Sequence, residues 1–157
     1  MNEFIVRKIG CGKSWIATSK AIEAMKENVP TLYISTEYDA SHFLLMALSI
    51  MSGIEKSRLL TMDINDNEKN IINEHIRWIN SKPFKFICCH DISVEQMKIY
   101  CEMFKTGMNL RYMIIDHFYN YSQALARDIN VGITNKYGIK VCCLFNDRSP
   151  FCVKVGD

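Results

Sequence analysis

The chain has 157 residues, 48% of them hydrophobic and 23% charged, with a formal net charge of +2. Such a length fits one domain, able to bury its own core without a metal or disulfide staple, and the composition excludes intrinsic disorder. Lysine and arginine are scattered with no basic run, so the charge gives no support for a strong nucleic-acid binder, and no stretch reaches the ~18 apolar residues of a membrane span.

The first apolar run, residues 4–6, reads as a strand. Gly10-Cys11-Gly12-Lys13-Ser14 follows, and residues 14–26 then place Trp15, Ile16, Ala17, Ala21, Ile22, Ala24 and Met25 at helical spacing. A strand, a glycine-rich turn and a Lys-Ser opening a helix form a phosphate cradle. The glycines let backbone N–H groups approach the anion, the lysine reaches the outer phosphates, and the serine hydroxyl can ligate Mg²⁺. The P-loop pattern is complete except at its first position, where Arg7 stands in place of glycine.

Residues 31–35 read as a buried strand, and a helix capped by Asp39 or Ser41 runs through Met51 and stops at Gly53. Residues 65–79 carry Ile71, Ile72, His75, Ile76 and Ile79 on one helical face. A third strand covers 84–89, Ser93 to Gln96 form a capping box for a helix to about Phe104, and a fourth strand, 112–116, ends in Asp116. A helix over 120–136 is weakened by Gly132; a fifth strand spans 139–145, and Pro150 precedes a short run at 151–155. This alternation predicts an α/β domain over residues 1–157, a mostly parallel sheet flanked by helices on both faces, with its ligand site at the carboxyl ends of the strands.

Four groups fall at such ends: the glycine loop after the first strand, Glu37 after the second, Asp116 on the fourth and Asn146 after the fifth. If their strands are neighbours, they supply what a nucleoside triphosphatase needs. Gly10, Cys11, Gly12, Lys13 and Ser14 bind phosphate, Ser14 and Asp116 hold Mg²⁺, Glu37 orients the attacking water, and Asn146 sits near the end phosphate. Each has a plainer alternative: a tight turn, a helix cap, a surface charge, a turn asparagine. Arg148 is most simply a solvated loop residue, His117 a satisfied loop histidine, and residues 42–51 a core helix face.

The seven cysteines are an odd number, and Cys88-Cys89 and Cys142-Cys143 are adjacent pairs inside apolar runs, without metal-ligand spacing. Residues 1–20 carry Glu3, Arg7, Lys8 and Lys13, so no signal core is present. Reduced cysteines in a cytoplasmic setting are the expectation.

In order, Ile9-Gly10-Cys11-Gly12-Lys13-Ser14, Leu32 to Tyr38, Ser93 to Gln96 with Leu110 to His117, and Lys136 to Arg148 resemble the RecA-like ATPase core of DnaB-family replicative helicases, phage forms included, over residues 4–149. The resemblance implies a RecA-like P-loop domain that binds ATP and Mg²⁺, with Lys13 neutralising the outer phosphates and Glu37 as catalytic base. It implies Asp116 as the Walker B aspartate and Asn146 in the place where the family carries a sensor glutamine. It further implies a homo-oligomer or docking onto a helicase subunit, with single-stranded DNA as a possible partner. Departures are Arg7, Asn146, a shortened segment between Asp116 and Lys136, and the lack of the family's N-terminal helical domain and its later DNA-contacting motif. Those departures keep alternatives open: a catalytically weak, helicase-like interaction protein that modulates a full-length helicase, another P-loop class such as a small kinase or a KaiC-like regulator, or a fragment whose loop is closed by Arg7.

Overall fold

Short strands buried on both faces at the centre of the sheet decide the architecture. The computed structural model describes residues 1–8, 10–118 and 121–146. Strands β1 (Glu3–Arg7), β2 (Thr31–Ser35), β3 (Phe84–Cys88), β4 (Tyr112–Phe118) and β5 (Lys140–Asn146) form one sheet in the order β1-β5-β4-β2-β3, and every pairing is parallel. The helices are α1 (Lys13–Lys26), α2 (Ala40–Ser52), α3 (Lys56–Thr61), α4 (Asp66–Asn80), α5 (Val94–Met108) and α6 (Gln123–Ile129), the last continued by a π-helical segment, Asn130–Asn135.

Right-handed crossovers explain where the helices lie. The chain moves one way across the sheet from β1 to β2 to β3 and the other way from β3 to β4 to β5, so the two sets of connections cover opposite faces. On one face Tyr33, Ile114, Cys142 and Leu144 pack against Ala17, Ala21 and Met25 of α1 and Phe43 and Ala47 of α2. On the other, Leu32, Ile34, Met113, Ile115 and Cys143 pack against Met97 and Cys101 of α5 and Ile129 and Ile133. Period-two alternation therefore sends the neighbours Cys142 and Cys143 to opposite sides of the sheet, which is why this pair is neither a disulfide nor a metal clamp.

Two local features differ from the sequence reading. Helix α3 is too short for its periodicity to show, with only Leu59 of its six residues buried. The helix expected over 120–136 is two pieces, and Gly132 belongs to the π-helical segment. There an added Cβ would lie 3.0 Å from Cε of Lys98, so the glycine permits a close approach to α5. Asp39, the first of the two candidate caps, accepts the His42 N–H at 2.9 Å. The expected run at 151–155 and Arg148 lie outside the described residues.

Burial also sorts the thiols by reactivity. Desolvation pushes Cys101 up to about 12 and Cys142 up to about 11, and raises Cys143 well above its usual value, whereas Cys11 and Cys88 are exposed. Brief treatment of the native chain with iodoacetamide is expected to modify Cys11 and Cys88 and to leave Cys101, Cys142 and Cys143 unmodified until denaturant is added. Peptide mass spectrometry checks this, and early labelling of Cys142 or Cys143 would refute the packing.

Candidate functional site

All five strands point their carboxyl ends to one edge of the sheet, and the register fixes which residues meet there. Arg7 pairs with Asn146, and Ser35 pairs with both Asp116 and Cys88. After β1, Gly10 and Gly12 take φ of +80° and +70°, a left-handed conformation that side chains resist. The Cys11 N–H donates to the Lys8 carbonyl at 3.3 Å, and Gly12 occupies the N-cap of α1. That helix has neither a side-chain cap nor an acidic residue in its first turn, which leaves the turn's N–H groups and the positive end of the helix dipole for an anion. Lys13 is 9% exposed, and its Nζ donates to the Lys8 carbonyl at 3.0 Å, so the ammonium is held at the loop. Arg7 is exposed at the end of β1 and does not line the cleft described below.

Asp116 is 2% exposed. The Tyr33 hydroxyl donates to its Oδ2 at 2.7 Å, while Oδ1 is buried and carries no hydrogen bond among the described residues. Tyr33 is clamped for this task by stacking on Phe86 (5.4 Å between centroids) and packing on Phe43 (4.9 Å). Burial pushes the Asp116 carboxyl above the usual range; the Tyr33 and Ser14 hydroxyls and His117 oppose this, and the Glu37 charge adds to it.

Neighbouring backbone is tied to the same point. The Thr36 N–H donates to the Asp116 carbonyl at 3.2 Å, and its hydroxyl donates to the His117 carbonyl at 2.7 Å. Ser35 Oγ accepts the N–H groups of Tyr38 (2.9 Å) and Glu37 (3.3 Å), which turns the chain as it leaves β2 and fixes Glu37. The Glu37 carboxylate, 38% exposed, meets Nδ1 of His117, whose Nε2 meets the Asn146 amide.

Gly10, Gly12, Lys13, Ser14, Glu37 and Asn146 line one cleft of about 390 Å³. Asp116 sits in an adjoining hollow that shares Ser14 with the cleft. Cys11 is exposed on the loop without lining it. Sequence reasoning set aside His117, which is no loop residue but part of β4, and did not find Tyr33, Tyr38 or Met46 as cleft or support residues. For His117 the only signal was adjacency to Asp116.

Among the described residues no three His, Cys, Asp or Glu side chains converge to hold a metal by themselves. Mg²⁺ needs no such cage, since one or two protein oxygens and substrate phosphates suffice. The unpartnered Oδ1 of Asp116 beside Ser14 fits that donor set. A second cavity, of about 250 Å³, lies at the other end of the sheet. Its Glu3 is paired with Lys20 and, at 2.9 Å, with Lys140, and Glu23, Glu27 and Arg111 complete a lining of mixed charge.

A parallel α/β sheet with a glycine loop after its first strand and carboxylates at the ends of two further strands defines the class as one of RecA-like ATPase folds. The family described as DnaB-like helicase C terminal domain matches residues 4–133, and the chain belongs to it. Two solved structures share the fold. One is a DnaB-like replicative helicase described with its interactions with primase, at TM-score 0.79 and 13% identity over 99% of this chain and 43% of that one. The other is described as an ATPase domain, at TM-score 0.78 and 15% identity over 92% of this chain and 57% of that one. The chain thus spans about half the length of these structures. No curated protein matches it. Among the described residues no helix is long and apolar enough to cross a membrane.

An acid raised by burial costs stability when it ionises. Below its unfolded value Asp116 is protonated in both states; as pH rises toward the higher folded value, the unfolded chain loses the proton first and stability falls. Asp116→Asn removes that cost. The ligand-free variant is expected to melt at or a few degrees above wild type at pH 8, with each kcal/mol worth about 2–4 °C at this size. Calorimetry checks it, and a large drop in Tm would mean that the carboxylate is structural.

Proposed function

We propose that the chain binds ATP with Mg²⁺ in this cleft and hydrolyses it as the ATPase unit of a DnaB-like helicase. The observation that carries the reading is the convergence on one edge of the glycine loop, Glu37, Asp116 and Asn146 from four different strands. The loop N–H groups and Lys13 would cradle the β- and γ-phosphates, and Ser14 and Asp116 would hold Mg²⁺. When bound, the ion neutralises phosphate charge as the bond breaks. Glu37 accepts a proton from a water whose oxygen attacks the γ-phosphorus; the bond from phosphorus to the β–γ bridging oxygen breaks, releasing ADP and phosphate. Asn146 reads the presence of the γ-phosphate.

Family membership supports work in DNA replication, assembly as a homo-oligomer or with a helicase subunit, and a cytoplasmic setting. Single-stranded DNA would then be met by the assembly, since the charge of this chain offers no stripe for it.

Trp15 lines the cleft, where a bound nucleotide would change its surroundings. Titration of the purified chain with ATP and Mg²⁺ should change its fluorescence saturably. Lys13→Ala is expected to abolish that change. Glu37→Gln is expected to keep affinity within about threefold while slowing hydrolysis on the order of 100-fold, the contribution of a general base. No binding by wild type at millimolar ATP would overturn the proposal. Binding without hydrolysis, with and without single-stranded DNA, would favour the interaction protein that modulates a helicase.

A further inference from the structure

We propose that His117 is a positioning residue that ties Glu37 to Asn146, so that the water-orienting carboxylate and the phosphate-reading amide act as one unit. The inference rests on the nucleotide-hydrolysis reading of the cleft for its function, though not for its geometry.

Topology permits the link. Strand β4 lies between β2 and β5, so a side chain at its carboxyl end is placed to adjoin residues leaving both neighbours. A bulge supplies the direction. Ile115 pairs with Cys143 and Phe118 with Phe145, so Asp116 and His117 together oppose Leu144. His117 takes φ of +78°, a conformation rare outside glycine but one that histidine and asparagine adopt more readily than most. The extra residue re-aims the imidazole along the sheet edge, and Thr36 holds its carbonyl at 2.7 Å.

Hydrogen-bond chemistry sets the order of the link. The two ring nitrogens face different partners, Nδ1 the Glu37 carboxylate and Nε2 the Asn146 amide nitrogen. A carboxylate only accepts and an amide nitrogen only donates. The ring therefore spans the two, one nitrogen toward each partner. The His117 side chain is 8% exposed, so water competes little for either contact. Glu37, the more exposed partner, is therefore aimed through a buried ring that Asn146 in turn orients. Contact of the γ-phosphate with Asn146 would then reach the carboxylate through the ring.

Two measurements separate this link from the function that it serves. In the ligand-free chain, the Glu37 ¹³C carboxyl resonance is expected to shift on Asn146→Ala, and that Asn146→Ala shift is expected to vanish in a His117→Asn background, because asparagine tolerates the backbone yet cannot bridge both partners. An unchanged Glu37 resonance in Asn146→Ala would overturn the link whether or not ATP binds. In hydrolysis, His117→Asn is expected to lower kcat about tenfold with ATP affinity within about threefold, and the double variant His117→Asn/Asn146→Ala to be no slower than the worse single variant by more than about twofold. Multiplying effects, or a kcat unchanged in His117→Asn, would also overturn it. Should wild type bind no ATP while the carbon resonance still responds across the ring, the nucleotide reading fails and the link stands.

Discussion

Hydrogen bonding between β2 and β4 is the constraint on which the cleft depends. Their register places Ser35 beside Asp116, and the chain just beyond it adds the Thr36 N–H to the Asp116 carbonyl and the Thr36 hydroxyl to the His117 carbonyl. Tyr33, two residues before Ser35 and hence on the same face, aims its hydroxyl at the Asp116 carboxylate. A shift of one residue in this pairing would move Tyr33 and Asp116 to opposite faces and turn Glu37 away from the loop. Strong apolar filling on both sheet faces forbids that shift, so core packing and site geometry are enforced by the same pairing.

The cost is concentrated at one carboxylate. Asp116 is buried beside the Glu37 charge, with one oxygen satisfied by Tyr33 and the other unpaired. A core built for stability alone would not place an ionisable group there. A buried acid with one oxygen held by Tyr33 and the other without a partner among the described residues suits a divalent ion that takes few protein ligands. Tyr33 is a supporting residue in this sense, its own proton held more firmly by burial and by the neighbouring carboxylate.

Legibility in the sequence followed range of interaction. The five strands, the glycine loop and the capping box at Ser93 to Gln96 were readable because each is set by residues within a few positions. Glu37, Asp116 and Asn146 could be picked because each follows or ends a strand, and the strand order brings them together. Tyr33 read as one more core residue, since nothing in Leu32-Tyr33-Ile34 shows that β4 lies alongside. His117 was passed over because a bulge exists only between two paired strands, here β4 and β5, and leaves no local pattern. Helix α3, with one buried leucine, has too little apolar periodicity to stand out from a loop.

Strand β1 pairs only with β5 among the described residues, and its side chains are half-buried or exposed where those of β2 are wholly buried. The glycine loop thus hangs from an edge strand, and a strand at such a margin opens more cheaply than one inside the sheet. An anion held by the loop and by the first turn of α1 would bridge that margin to a helix packed on the central strands. Part of the binding free energy would then go into annealing the sheet's own border, so that affinity and local rigidity rise and fall together.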